Sequence, residues 1–387
     1  FLNAGGGSFS KMVKVSSTTG VVVESFSPQP SGEVRTILPA GDQLYVGGDF
    51  ANIGGGSYSR NAIFALNLNT NQILSFDSSP SAWASVYSLL FANGSLYVAG
   101  NFADIGGQTI TNLAKLNPTT GAADPTLSFT FTKDVSSLVR DGNYLYASGP
   151  FTGSAGTKVV KINLTDNTAD LSFAPTITGG EINALAVYDS NVIIGGSFTN
   201  VNGAPRNGIA KLNAAGELDA TFNPDANDSK GGVGSVFSLL VNGSNLYVGG
   251  NFVNIGGGAM PVLARINPTT GVLDTGFTTG VAVGGTQSLY ASGDYLYVGQ
   301  KGSPYTYKSL LTTGTPDATF TPGLDAVNYA AFLDGEDLYL GGNFSNYGIT
   351  PIRGLAKFPS DTPPDTTAPT ITILGDNPYT LYQGTAY

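Results

Sequence analysis

Short apolar runs, each closed by Gly, Asn or Asp, recur along this chain, and almost no segment carries the 3.6-residue period of an amphipathic helix. Runs such as Val86-Tyr87-Ser88-Leu89-Leu90 and Val236-Phe237-Ser238-Leu239-Leu240 predict a first strand, a. Asn93-Gly94 and Asp141-Gly142, residue types that accept positive φ, predict tight hairpin turns after it. Strand b is the segment Leu44-Tyr45-Val46-Gly47-Gly48, whose paired glycines imply either positive φ or a neighbour too close for a side chain. Strand c reads Leu113-Ala114-Lys115-Leu116-Asn117, and the turn Pro118-Thr119-Thr120-Gly121 leads to strand d. Strand d ends on a Phe in every unit, at Phe26, Phe76, Phe129, Phe173, Phe222, Phe277 and Phe320.

The units repeat. Leu44-Tyr45-Val46-Gly47-Gly48-Asp49-Phe50 returns at Leu96, Leu145, Val192 and Leu246, in degraded form at Leu296, and again at Leu338. Tyr45 to Tyr339 spans 294 residues in six steps, a mean of 49. Four antiparallel strands per unit and seven such units predict an all-β chain folded as a β-propeller, whose blades bury both sheet faces and so read as apolar runs rather than alternation. A solenoid is the rival, but its coils are usually shorter. Phe1 to Lys11 aligns with Phe50 to Arg60 at a constant offset of 49, so the chain starts inside a repeat. Joining the N-terminal c and d strands to the C-terminal a and b strands closes seven four-stranded blades. The surplus strand Leu355 to Phe358 then lies outside the ring or replaces its N-terminal counterpart, and eight blades with residues missing upstream are the alternative.

The Tyr-Val-Gly-Gly-x-Phe core, the Asn-Ile-Gly-Gly that follows it (Asn52 to Gly55, Asn254 to Gly257) and the Leu-Ala-Lys-Leu-Asn of strand c resemble the delta-sixty type β-propeller repeat of bacterial secreted and surface proteins. They are similar, more distantly, to the repeats of a fungal cortical polarity marker. The resemblance covers about residues 1–358 and implies a secreted or surface location; it brings no catalytic residues. Residues 359–369, with four prolines, read as a semi-rigid linker. The segment 370–387, with Thr370-Ile371-Thr372-Ile373-Leu374, resembles the opening strand of the Ig-like domains of bacterial adhesins, and further Ig-like domains of the same chain are the partners it implies.

Composition narrows the chemistry. Lys and Arg number 17 against 27 Asp and Glu, a net charge of -10, and no basic cluster exists to neutralise phosphates, so nucleic acid is excluded as a partner. There is no apolar run long enough to span a bilayer, hence no membrane insertion by this segment, and a start at Phe1 rather than Met marks the chain as a processed or excised piece. The absence of Cys and His removes thiol nucleophiles, disulfides, zinc sites built on those ligands and His-based triads. No cofactor is expected: a loop carboxylate set suits Ca²⁺ chemically, but no Asp-x-Asn-x-Asp-Gly loop occurs.

Strand c carries a cation at one register, Lys14, Lys115, Lys161, Lys211, Arg265, Lys308 and Lys357, with Ala65 the exception, and strand d carries Asp124, Asp170, Asp219, Asp274 and Asp317. The favoured reading is a Lys to Asp pair within each c-d hairpin; a cation ring for an acidic polymer is the other. Positions that break the repeat carry more information. In a propeller the d-a and b-c connections share one face, where Trp83, the only Trp, stands in one d-a loop and Asp225, Asp228 and Lys230 in the longest, Asn223 to Ser235. Tyr305 and Tyr307 belong to the irregular sixth unit. These six are the candidate ligand-binding residues, aromatics serving as platforms for sugar rings; the alternative has Trp83 packing on the neighbouring blade. The expectation is a non-catalytic binding, adhesion or display module taking an extracellular glycan or surface protein. Its alternatives are a polysaccharide-acting hydrolase or lyase using paired carboxylates and a structural subunit of a surface assembly.

Overall fold

The computed structural model describes residues 11–345 except 24, 25, 27, 128, 130, 152–156 and 281–283. The expectations for Leu355 to Phe358, for the 359–369 linker and for the Ig-like segment 370–387 lie outside the described residues.

Among these residues, seven antiparallel sheets share the strand order a-b-c. Their a strands are Val34–Ala40, Ser85–Ala92, Ser137–Asp141, Ile182–Tyr188, Ser235–Asn242, Thr286–Ser292 and Asn328–Asp334, defining sheets one to seven. The turn Asn93-Gly94 has φ of 49° and 73°, the positive values expected from its sequence. Sheet seven is built from both ends of the chain. Met12–Ser16 pairs with Asp337–Gly342, Lys14 opposite Tyr339, in the same register as Lys115 opposite Tyr97 and Lys308 opposite Tyr297. Each a strand contacts the a strands of the two adjacent sheets, sheet seven meeting sheet one, so together they form the inner wall of a closed ring. The fold is an all-β propeller.

Strand d is shorter than its sequence predicts. It forms a two-residue ladder at Thr168–Ala169 in sheet three and shrinks elsewhere to single bridges such as Leu116 with Ala123 and Ser309 with Pro316. Several of these short strands end in a turn closed by an Asp side chain. Asp124, Asp219 and Asp317 each accept, through Oδ1, the backbone N–H two residues on, from Thr126, Thr221 and Thr319, at 2.9, 2.9 and 3.0 Å. The terminal Phe then turns inward against the strand-b Tyr: Phe173 meets Tyr146 edge-on at 5.2 Å and Phe277 meets Tyr247 at 5.4 Å.

Close approach, not positive φ, explains the strand-b glycines. A Cβ on Gly47 would sit 2.5 Å from Val86 Cγ1 of the next sheet, and one on Gly195 2.6 Å from Val236 Cγ1. A Cβ on Gly48 would overlap the carbonyl oxygen of Glu33 in its own sheet. The first glycine therefore lets blades meet, and the second lets the entry of strand a lie close against the end of strand b.

The strand-c cations are paired as expected within the hairpins: Lys115 with Asp124 at 2.8 Å, Lys161 with Asp170, Lys211 with Asp219 and Lys308 with Asp317 at 2.9 Å, and Arg265 with Asp274 at 2.7 Å. Lys14 instead finds Asp337 on strand b, at 2.8 Å. Four of them also cross to the c-d turn of the next sheet. Lys161 donates to Ala214 O at 2.8 Å, Lys211 to Thr269 O at 3.0 Å, Arg265 to Leu311 O at 2.6 Å and Lys308 to Ser17 O at 3.0 Å. In sheet one, where Ala65 holds the cation's register opposite Tyr45, the Tyr45 hydroxyl makes the crossing to Pro118 O at 2.7 Å. The repeated cation joins blades.

These groups set the pH range of stability. Hydrogen bonds from Thr319 and then Lys308 hold Asp317 down to about 2, and those from Ser172 and Lys161 do the same for Asp170. A carboxyl depressed in the fold adds stability that is complete above its unfolded pKa and is lost as pH falls toward 2. Burial pushes the phenols of Tyr45 and Tyr146 up to about 12, so their contribution is lost as pH rises from about 10 toward 12. With no His in the sequence, thermal melts from about pH 4 to 10 should form a plateau falling at both ends; a step between pH 6 and 7 would contradict this.

Candidate functional site at the channel mouth

Strand a enters each sheet on the face that carries the d-a and b-c connections. These connections interlock there: Asn254 bridges Asn227 of the preceding loop, and Ile177 pairs with Val201. In six sheets the ladder between strands a and b skips one residue at this entry, between Val34 and Thr36, Val86 and Ser88, Ile182 and Ala184, Val236 and Ser238, Thr286 and Ser288, and Asn328 and Ala330. Such bulges re-aim side chains. The skipped residues are Arg35, Tyr87, Asn183, Phe237, Gln287 and Tyr329, all half-buried on the inner wall. The buried residue before each bulge is β-branched aliphatic in four sheets, Val34, Val86, Ile182 and Val236, whereas the bulge residues range over a cation, amides and aromatics.

Three of them meet. The Arg35 guanidinium lies 5.5 Å from the ring centroids of both Tyr87 and Tyr329, residues of the two flanking sheets. Arg35 Nε donates to Asp49 Oδ2 at 2.7 Å, and Nη2 lies 2.6 Å from the same oxygen and 2.7 Å from Glu33 Oε2. Burial works against the charge, but the hydrogen bond and ion pair with Asp49, with Glu33 behind them, hold Arg35 above its ordinary range. Burial likewise raises the Tyr87 and Tyr329 phenols, with Asp134 and Asp49 acting on the first and Glu33 and Asp49 on the second. Asp49 Oδ1 is buried with no hydrogen-bond partner. Further round the wall, Lys301 lies 5.8 Å from the Phe237 ring.

The residues singled out from sequence are scattered over this face and beneath it. Trp83 does not pack on the neighbouring blade: its backbone has φ 68°, a strained value for a bulky residue, and its side chain is 96% exposed. Asp228 is occupied locally, Oδ1 accepting the Lys230 and Gly232 N–H groups at 2.8 Å, while Lys230 is exposed. Asp225 accepts from Asn207 N at 3.3 Å and borders a recess of about 380 Å³ with Asn223, Asn227 and Asn254. Tyr305 is half-buried. Tyr307 corrects its expectation: it lies inside strand c of sheet six, 4% exposed, at the register held by Ala264 in sheet five, and offers no surface to a ligand. Among the described residues no group of three or more Asp and Glu is placed to hold a metal ion.

Sequence reasoning missed the channel mouth. The signal was available at one register of six aligned a strands, where Arg35, Tyr87, Asn183, Phe237, Gln287 and Tyr329 fall in line; only the bulge turns that variation inward.

Ring closure and the inner-wall mouth thus define the chain as a β-propeller, and comparison with known proteins agrees. The family model described as "Domain of unknown function (DUF5122) beta-propeller" matches residues 92–127, 189–222 and 245–277, stretches that run through strand b and strand c of sheets two, four and five. No curated protein matches the sequence. Among solved structures, the computationally designed Ika8 protein superposes with a TM-score of 0.52 at 12% identity, over 83% of this chain and 96% of its own. The WD40 beta propeller domain of Doa1 gives 0.53 at 9% identity, over 89% and 97%. The "extracellular domain of the putative one component system BT4673" from B. thetaiotaomicron gives 0.55 at 13% identity, over 88% of this chain but 40% of that one. These likenesses concern the fold.

Proposed function

We propose that the chain is a non-catalytic binding or display module of a secreted or cell-surface bacterial protein. In this reading seven blades of the delta-sixty type form a rigid ring that takes a glycan or a protein on the face of the d-a and b-c connections, without a cofactor, ahead of Ig-like domains. The observation that carries it is Trp83, held out at 96% exposure on a strained backbone. Placed on a d-a loop and clear of the core, the indole offers an open ring face on which a sugar or an apolar side chain can stack.

The polysaccharide-cleaving alternative needs two carboxylates facing the scissile bond. Glu33 and Asp49 do converge, but on one guanidinium nitrogen at 2.7 and 2.6 Å, an arrangement suited to recognition. Trp83→Ala should leave the melting temperature unchanged, within about 0.5 kcal/mol of stability, and weaken capture of the ligand on a glycan or surface-protein array about tenfold or more. Equal capture by both forms would remove Trp83 from the site.

A further inference from the structure

We propose that the inner-wall mouth around Arg35 is a subsite for a neutral sugar bearing adjacent hydroxyls; this rests on the binding reading above and names its ligand class. Arg35 uses Nε and Nη2 on Asp49 and Glu33, and Nη1 takes part in neither contact. Asp49 meets both of these nitrogens through Oδ2 alone, leaving Oδ1 buried without a partner. The Arg35 guanidinium offers Nη1 as a donor, and the partly exposed Asp49 and Glu33 carboxylates keep lone pairs as acceptors, a combination that matches two neighbouring hydroxyls, each of which both gives and takes a hydrogen bond.

The flanking groups suit the rest of a sugar. Tyr87 and Tyr329 stand on either side of Arg35, half-exposed, and offer apolar ring surface to the C–H groups of a pyranose. The charge balance selects against acidic sugars. Three carboxylates, Glu33, Asp49 and Asp134, act on these two phenols against the single Arg35, within a chain of net charge -10. A uronate or sulfated residue would meet like charge, whereas a hydroxyl meets acceptors.

The test is affinity electrophoresis of the purified full chain through gels containing neutral glucan, mannan or galactan, or acidic polygalacturonate or alginate. Retardation by at least one neutral polymer is expected, insensitive to salt, with Tyr87→Ala and Asp49→Asn each weakening it about tenfold and Tyr87→Phe keeping it within about threefold. Variants are compared only where their melting curves match the parent; Tyr87 is half-exposed and its truncation leaves the core intact. Preference for an acidic polymer overturns the proposal. So does loss of binding in Trp83→Ala with none in the mouth variants, which leaves the binding-module reading standing. Capture of a surface protein with no retardation by any polymer also overturns the neutral-sugar assignment while sparing that reading.

Discussion

Arg265→Ala is expected to destabilise the propeller by about 2–4 kcal/mol, lowering its melting temperature by about 3–6 °C for a chain of this size. Arg265 is 9% exposed, pairs with Asp274 at 2.7 Å, and donates from Nη1 to Leu311 O at 2.6 Å and Thr312 O at 2.9 Å in the next sheet. Truncation leaves the Thr312 carbonyl and the Asp274 carboxylate without this donor. A fully buried pair broken in this way costs about 3–5 kcal/mol; Asp274 is 40% exposed, so water recovers part of that. Arg265→Lys should lose only about 1 kcal/mol, because Lys already performs both contacts at the same register in Lys161, Lys211 and Lys308. Denaturant titration measures both, and equal losses in the two variants would show that the cation is not a bridge between blades.

Gly48→Ala is the second large effect, about 3 kcal/mol, at the upper end for a single added methyl. Its Cβ would overlap the Glu33 carbonyl oxygen, which is backbone and cannot rotate away. Gly142→Ala is the matched control. Gly142 has φ 54° but nothing within 4 Å of an added Cβ, so only conformational strain of about 1 kcal/mol applies. The ordering separates the two uses of glycine in this fold: close approach on strand b and positive φ in the a-b turn.

Much of this architecture was legible because the repeat averages over its own noise. The offset that aligns Phe1 to Lys11 with Phe50 to Arg60 showed that the chain starts inside a repeat but left a closed seven and an eight with missing residues both open; the pairing of Met12–Ser16 with Asp337–Gly342 is the closed arrangement. The Lys to Asp pairing was readable from fixed spacing; its second half, the reach into the next blade, was not, since contacts between repeats leave no mark on spacing within one. The b-c connection also folds further than its motif suggests. Asn52–Ile53 and Tyr58–Ser59 form a small hairpin around Gly54 and Gly55, both at φ 64°, where only the Asn-Ile-Gly-Gly signature had been visible. The site was the least legible part. Loops drew attention to Trp83 and the Asn223 to Ser235 segment, while the chemically varied positions were on strand a. A one-residue bulge reverses which side chains face the channel, and alternation along a strand cannot announce it. Tyr307 was misplaced for the opposite reason: it adjoins an irregular loop, yet the register of Lys308 fixes it one step inside strand c.

The most direct measurement is a crystal structure of residues 1–387 soaked with the neutral oligosaccharide that the retarding polymer contains. The account predicts density on the d-a and b-c face, with sugar hydroxyls within hydrogen-bond distance of Arg35 and Asp49 and a pyranose ring against Tyr87 or Tyr329. Density confined to the a-b and c-d face, or to the outer rim of the strand-d bridges, with the channel mouth empty, would contradict it.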